Sequence, residues 1–262
     1  MRRFSYVFGL ITYICVILFL GLYPKVRVLP FKFDPSFLFH FIAFFLLVLF
    51  LIDRTNNRIL SFVISVVIGV IIESAQGYVP GRVRSKSDFI FDLLGVILGI
   101  LVGTKGKDSV FKFVASFGGV GYIPYAPGTL ASLVFAAILY WWGSVRLIYV
   151  WQIFVILLPI SVYVSQKIED LKGDDPRSCV IDEVMGITMP LLVSCHSLTL
   201  YVLSFILFRY FDIWKPLGIR KIERRVKGGI GIVLDDLIAG IFSATIILLL
   251  LKLLPHFGIS LK

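Results

Sequence analysis

The sequence predicts an all-α, polytopic integral membrane protein of about eight or nine helices in two helical modules. Three observations carry this. Hydrophobic residues make up 58% of the chain and the mean hydropathy is +0.96, well beyond the roughly 45–50% apolar content of soluble domains. Apolar runs long enough for a hydrocarbon core about 30 Å thick, which takes about 20 helical residues, recur along the whole length. No run alternates as a membrane strand would.

Arg2 and Arg3 precede the first run, Phe4–Tyr23. It is too long for the core of a secretory leader and no small-residue cleavage site follows, so it reads as a retained helix. Ser36–Ile52, Ile59–Gly77 and Phe89–Gly103 come next, separated by loops rich in Pro, Asn and basic residues. The stretch "GTKGKDSVFK", Gly103–Lys112, has glycines, several lysines and no apolar run. It is the expected linker between a module of residues 1–104 and one of residues 105–262. Beyond it lie Gly128–Trp142, Leu147–Gln166, Val184–Phe211 and Leu234–Leu254, the third divisible into two short helices around "SCHS".

The formal net charge of +10 would point to nucleic acid in a soluble protein. Here the basic residues sit in short loops between apolar segments, so anionic lipid is the expected counterpart and nucleic acid is not. Arg2, Arg3, Arg54, Arg58, Lys105 and Lys107 fall on one side, against Lys25, Arg27, Arg82, Arg84 and Lys86 on the other. That balance slightly favours a cytoplasmic N-terminus. Cys15, Cys179 and Cys195 are odd in number and lack metal-ligand spacing, so packing roles are expected for them.

Four carboxylates stand out in the second module: Asp182 and Glu183 in "CVIDEVMG", and Asp235 and Asp236 in "GIVLDDLIAG". Each pair abuts an apolar helix, where an ionised acid is costly unless it faces a polar site or the headgroup zone. Neighbouring residues differ by about 100° around a helix, so one acid of each pair can face inward. Asp236 and Gly240 stand at i and i+4, which leaves room beside the acid for an ion. Together the pairs can hold a hard divalent cation, and magnesium needs only a few carboxylates plus water and phosphate oxygens.

Cations and glycines lie nearby. Arg220, Lys221, Arg224, Arg225 and Lys227 precede "GGIG", where Gly228, Gly229 and Gly231 either let backbone amides approach an anion or form a tight turn. Arg209, Asp212 and Lys215 recur at i, i+3 and i+6 before Pro216, as a charged stripe or an interfacial salt-bridge ladder. In "PYAPGT", Thr129 reads as a helix cap or a headgroup contact. A covalent phosphatase is not indicated. Neither Cys179 nor Cys195 has an Arg at the sixth following position, and no Asp-x-Asp or Ser-Gly-His occurs, which leaves activated water as the nucleophile.

The blocks "GYIPYAPGTLAS" (Gly121–Ser132), "DPRSCVIDEVMG" (Asp175–Gly186) and "FRYFDIWKPLGIRKIERRVKGGIGIVLDDLIAG" (Phe208–Gly240) resemble the three signature blocks of the phosphatidylglycerophosphatase A family. The resemblance covers about residues 109–254. It implies a magnesium-dependent membrane phosphatase that converts phosphatidylglycerophosphate to phosphatidylglycerol and phosphate at the cytoplasmic face of a bacterial inner membrane. By resemblance, Asp182, Glu183, Asp235 and Asp236 are the catalytic acids, with Glu183, Asp235 and Asp236 as metal ligands. Arg209, Asp212, Lys215, Arg220 and Arg225 would join the same site, together with Gly228, Gly229 and Thr129.

The first module carries another polar set, His40, Glu73, Gln76, Asp88 and Asp92, inside or beside apolar runs. Asp88, Asp92, Gly95 and Gly99 recur at helical spacing, and small residues at four-residue spacing, Gly95, Gly99 and Gly103, predict close helix packing. "HFIAFFLL", "ESAQGYVPGRVRSKSD" and "DLLGVILG" resemble the VanZ-like family over about residues 5–103. Phe44 and Asp92 stand where that family's pattern has Tyr and Asn. With Arg82 in the basic turn, this half reads as a recogniser or mover of an amphipathic lipid headgroup. The rival reading for the chain is a transporter whose intramembrane acids Glu73, Asp92 and Asp236 relay cations or protons. Acids gathered with cations at helix ends favour the phosphatase, and acids at mid-helix depth favour the relay.

Overall fold

A computed structural model describes residues 2–23, 36–80, 85–103, 106–141, 147–173, 176–194, 197–216 and 226–253. Among them no strand occurs. The helices are α1 (Arg2–Leu22), α2 (Ser36–Thr55), α3 (Arg58–Gln76), α4 (Lys86–Gly103), α5 (Lys107–Ala115), α6 (Pro127–Trp141), α7 (Leu147–Lys172), α8 (Ile181–Val193), α9 (Leu198–Trp214) and α10 (Gly229–Leu253), with one 3-10 turn at Val120–Tyr122. Five of them, α1, α2, α3, α7 and α10, are each long and apolar enough to cross a membrane, so the protein is multi-pass. At 13 residues, α8 is not in that set.

Local chemistry sets several of the ends. The Asn57 side chain accepts from Leu60 N at 3.0 Å and caps α3. Pro127, not Thr129, opens α6, a position where the missing N–H of proline costs nothing. Lys215 closes α9 in the left-handed region, at φ 44°, with its N–H on Phe211 O at 2.9 Å. The expected linker is instead partly helical. In α5, Phe111 and Ala115 are buried, because a phenylalanine and an alanine four residues apart share one helix face.

The chain divides into two compact units, Leu10–Val110 and Met1–Gly9 with Phe111–Lys262. In the first, α4 lies on α2, and a Cβ at Gly95 or Gly99 would overlap the α2 backbone at Phe41 or the side chain of Val48. That is the close packing the small-residue spacing predicted.

In the second unit α8 is central and packs on α6, α7, α9 and α10. Ala131 and Phe135 of α6, Val184 and Ile187 of α8, Phe208 of α9 and Ala239 of α10 share one apolar core. The α8–α10 contact is backbone on backbone. A Cβ on Gly240 would overlap Gly186 O, and one on Gly186 would press on Asp236 O.

The first turns of α1 complete this unit. Tyr6 OH donates to Asp170 Oδ2 at 2.7 Å, Gln166 Nε2 donates to Asp170 Oδ1 at 3.0 Å, and Gly229 N donates to Gln166 Oε1 at 2.9 Å. A side-chain chain thus runs from residue 6 to the start of α10. The sequence signal was Gln166, Glu169 and Asp170 at i, i+3 and i+4 on an apolar helix, a polar face that needs partners.

Two outcomes are expected. Gly240→Ala forces α8 and α10 apart and destabilises the unit by about 1–3 kcal/mol. Tyr6→Phe keeps the ring contact with Tyr163 but loses about 1 kcal/mol and roughly 2–4 °C of Tm. Thermal unfolding of the purified variants measures both.

Candidate metal centre

Asp182 and Glu183 stand in the first turn of α8, and Asp236 stands two turns into α10. The glycine contact between these helices brings the acids together: one carboxylate oxygen from each of Asp182, Glu183 and Asp236 lies within 4.8 Å of the others. Asp182 and Asp236 are 5% and 4% exposed, so solvent does little to screen their mutual repulsion. α6 backs the cluster at Gly128, where a Cβ would overlap the Glu183 carboxylate. Any larger residue there would push Glu183 aside.

The donor set fits a hard cation. Asp182 Oδ1 and Glu183 Oε2 are buried without a hydrogen-bond partner, and a buried acceptor left in that state costs on the order of 1–3 kcal/mol or more. Three carboxylates, with no nitrogen or sulfur ligand among the described residues, is the chemistry of magnesium, calcium or manganese rather than zinc or copper. Burial raises both the Asp182 and Glu183 carboxyls above their ordinary range, and the acids around Asp182 raise it further. Asp212 also pushes Glu183 up, while Arg209 opposes it.

The structure places the remaining site residues as follows. Arg209 Nη1 pairs with Asp212 Oδ2 at 2.5 Å along α9, and both lie within electrostatic reach of Glu183. The third member of that stripe leaves the ladder. Because the left-handed cap turns the chain at Lys215, its Nζ reaches across to Asp235 Oδ2 at 2.5 Å. The sequence reading put Glu183, Asp235 and Asp236 around the ion. Asp182 joins the three-acid group instead, and Asp235 faces a lysine.

Gly228 and Gly229 are buried against α7. The Gly229 amide donates to Gln166, so it is taken up by the protein itself and does not present itself to an anion. Thr129 lies in the first turn of α6, where its carbonyl accepts from Ser132 Oγ at 3.2 Å. In the N-terminal unit, His40 gathers Asp88 and Asp92, Glu73 accepts from Ser85 N at 3.0 Å, and Gln76 turns away to donate to Gly21 O at 2.9 Å. Arg82, Arg220 and Arg225 lie outside the described residues, as do Cys195 and His196.

Comparison with known proteins agrees with both halves of the sequence reading. Residues 113–251 match the family model described as phosphatidylglycerophosphatase A, and residues 10–105 match VanZ/LLP1. Among curated relatives, a putative phosphatidylinositol-3-phosphatase of Bacteroides thetaiotaomicron is 37% identical, covering 49% of this chain and 86% of the relative. Phosphatidylglycerophosphatase A of Escherichia coli is 34% identical over 49% of this chain and 76% of its own, and that of Haemophilus influenzae is 33% identical over 49% and 81%. No solved structure matches the chain significantly.

Raised carboxyls make a signed prediction. A group whose folded value exceeds its unfolded value adds stability below the unfolded carboxylate range, about pH 4, and loses it as pH rises through the raised value. Protein stripped of metal should therefore lose thermal stability from about pH 5 to about pH 8. Asp182→Asn should flatten that decline, as followed by unfolding in chelator across the pH series.

Proposed function

The chain belongs to the phosphatidylglycerophosphatase A family, and on that premise we propose that it hydrolyses the terminal phosphomonoester of phosphatidylglycerophosphate to phosphatidylglycerol and phosphate, with magnesium, at the cytoplasmic face of a bacterial inner membrane. The observation that supports this most is the meeting of Asp182, Glu183 and Asp236, with two of their oxygens buried and unpartnered. Such a group holds a cation, and the charged end of α9 beside it suits a phosphate. Asp182 and Glu183 open α8 and Arg209, Asp212 and Lys215 lie toward the end of α9, with Asp235 and Asp236 two turns into α10, so acids and cations gather together, which favours a headgroup hydrolase over a relay.

Asp182, Glu183 and Asp236 would hold the ion. When bound, it would neutralise charge on the phosphoryl oxygens and make a nearby water easier for a carboxylate to deprotonate. Among the described residues, Arg209 and Lys215 are cations near the acids. In the free protein each is occupied by a carboxylate, Asp212 and Asp235 respectively. A phosphomonoester dianion competes with those carboxylates for the same cations, and Arg209, whose Nε and Nη1 are buried without a hydrogen-bond partner among the described residues, suits it through its planar fork of donors.

Water's oxygen bonds to phosphorus as the bond from phosphorus to the lipid's glycerol oxygen breaks. A carboxylate at the site takes one proton from water, and that proton passes to the departing glycerol oxygen, which restores the carboxylate. The fixed charges lower the barrier because they are already oriented and partly shielded from water. Asp235 acts through Lys215, holding its ammonium near the headgroup rather than touching the reacting atoms.

Phosphate release from phosphatidylglycerophosphate by the full-length protein tests the proposal. It should be abolished by chelator and restored by magnesium. Release that is equal in both conditions removes the metal from the mechanism. Asp182→Asn and Asp236→Asn should each lower kcat by at least about 100-fold with KM little changed, and near-normal turnover in both would overturn the site. Phosphatidylinositol 3-phosphate belongs in the same assay, because the Bacteroides relative carries that name. Its preferential hydrolysis would keep the chemistry and replace the substrate.

A further inference from the structure

Between the end of α5 and the start of α6 the chain makes a loop, residues 116–126, that carries apolar side chains on the outside of the C-terminal unit. Tyr122 and Tyr125 are 55% and 82% exposed, and Ile123 between them is exposed too. The loop is nonetheless tightly built. Gly118 N donates to Phe113 O at 3.0 Å, Gly121 N to Ser116 O at 2.8 Å and Gly119 N to Ser116 Oγ at 3.1 Å. Phe117 and Ala126 are held in the left-handed region, at φ 48° and 44°, a conformation that costs free energy for any residue but glycine and is kept only where the surroundings impose it.

A neighbouring span fixes the depth of this loop. α7 is one of the helices long and apolar enough to cross a membrane, and Lys172 is its last residue. A lysine that ends a span carries its ammonium to the headgroups. Lys172 Nζ lies 5.1 Å from the centre of the Tyr122 ring and donates to Ser178 Oγ at 2.8 Å, so Tyr122 and Ser178 stand at that level. The approach to the metal centre stands there as well. Ser178 comes just before α8, whose first turn carries Asp182 and Glu183, and a Cβ on Gly121 would overlap Ser178 O. Directly after the loop, Pro127 opens α6 beside Glu183.

Backbone chemistry and side-chain chemistry together select the surroundings. The hydrocarbon core is excluded, because irregular backbone facing lipid leaves N–H and C=O groups unbonded. Bulk water is a poor match for three exposed apolar side chains within four positions. The headgroup layer suits both, since tyrosine rings lie among the glycerol esters with their hydroxyls toward water. At the end of α9 a second exposed pair, Tyr210 and Trp214, stacks at 5.8 Å in the same turns as Arg209 and Asp212, the residues that act on Glu183.

We propose that Tyr122, Ile123 and Tyr125 rest in the headgroup layer of the bilayer and hold the centre of Asp182, Glu183 and Asp236 at that depth, so that a phospholipid presents its terminal phosphate without leaving the membrane. The presentation of substrate rests on the phosphatase reading, and the seat in the headgroups does not. The bonds within the loop and its contact with Ser178 carry the depth set by the tyrosines to the segment that leads into the acids.

Tyr125 stands almost wholly outside the fold, so replacing it tests the contact without disturbing the core. Tyr125→Trp in the full-length protein, reconstituted in phosphatidylcholine vesicles, adds one emitter to the four native tryptophans. The difference from the unsubstituted protein isolates its emission. Phosphatidylcholine brominated high in its acyl chains should quench that emission. Emission quenched only by aqueous iodide puts the loop in water, emission quenched by neither puts it under another protein surface, and either overturns the proposal. Tyr125→Ala should raise KM for long-chain phosphatidylglycerophosphate in vesicles by about fivefold with kcat unchanged, and leave hydrolysis of a short-chain, water-dissolved form unaltered. An equal effect on both substrates, or none on either, overturns the part of the loop in presenting lipid. Failure of the unsubstituted protein to release phosphate from either counts against the phosphatase reading alone, and the quenching result still decides where the loop lies.

Discussion

Burying three carboxylates between two helices that touch backbone to backbone is the constraint on which the C-terminal unit depends. The contact of Gly186 with Gly240 brings α8 and α10 close enough for Asp182, Glu183 and Asp236 to share a few ångströms. Low exposure strengthens every charge there, repulsive and attractive alike. Protons on the acids or positive charge supplied from outside them offset that repulsion. Arg209 and Lys215 provide part of it from the end of α9, and the proposed ion provides the rest.

Around that centre the other elements act as supports. Gly128 of α6 gives Glu183 the space it occupies, and the N–H of Val180, just before α8, is anchored on Ala115 O at 2.8 Å. Tyr6, Asp170 and Gln166 hold the first amide of α10 from the far end of the chain. A residue near the N-terminus is thereby built into the unit whose family match begins at residue 113. The N-terminal unit meets the same electrostatic problem with different means: Asp92 has an imidazole on one oxygen and a cavity at the other.

The all-helical class, the multi-pass character and the pairing of two families were all legible in the sequence. Long apolar runs have one stable form in lipid, because each backbone group must bond within its own helix. The acids were legible as candidates for a related reason, since an ionisable residue in such a run needs a purpose or a partner. Periodicity gave less at Gly228 and Gly229: a glycine pair before a helix reads equally as an anion cradle and as a tight turn, and the Gln166 side chain that occupies the Gly229 amide lies 63 positions away. Gly103–Lys112 was read as a linker because its glycines and its lysines, Lys105, Lys107 and Lys112, leave too little apolar signal, although Phe111 of α5 is wholly buried.

What the sequence determined by itself is therefore what depends on a residue and its near neighbours along one helix: span, class, the small-residue faces and the list of charged groups. Which of those groups meet was decided by the tertiary structure. Asp182 joins Glu183 and Asp236 while Asp235 takes Lys215, because the roll of α10 against α8 and the left-handed turn at Lys215 set the directions of the side chains. Helical spacing gives the angle between two residues on one helix. It does not give the rotation of that helix about its own axis against another, and in the C-terminal unit that rotation follows from two glycines and the core packed around them.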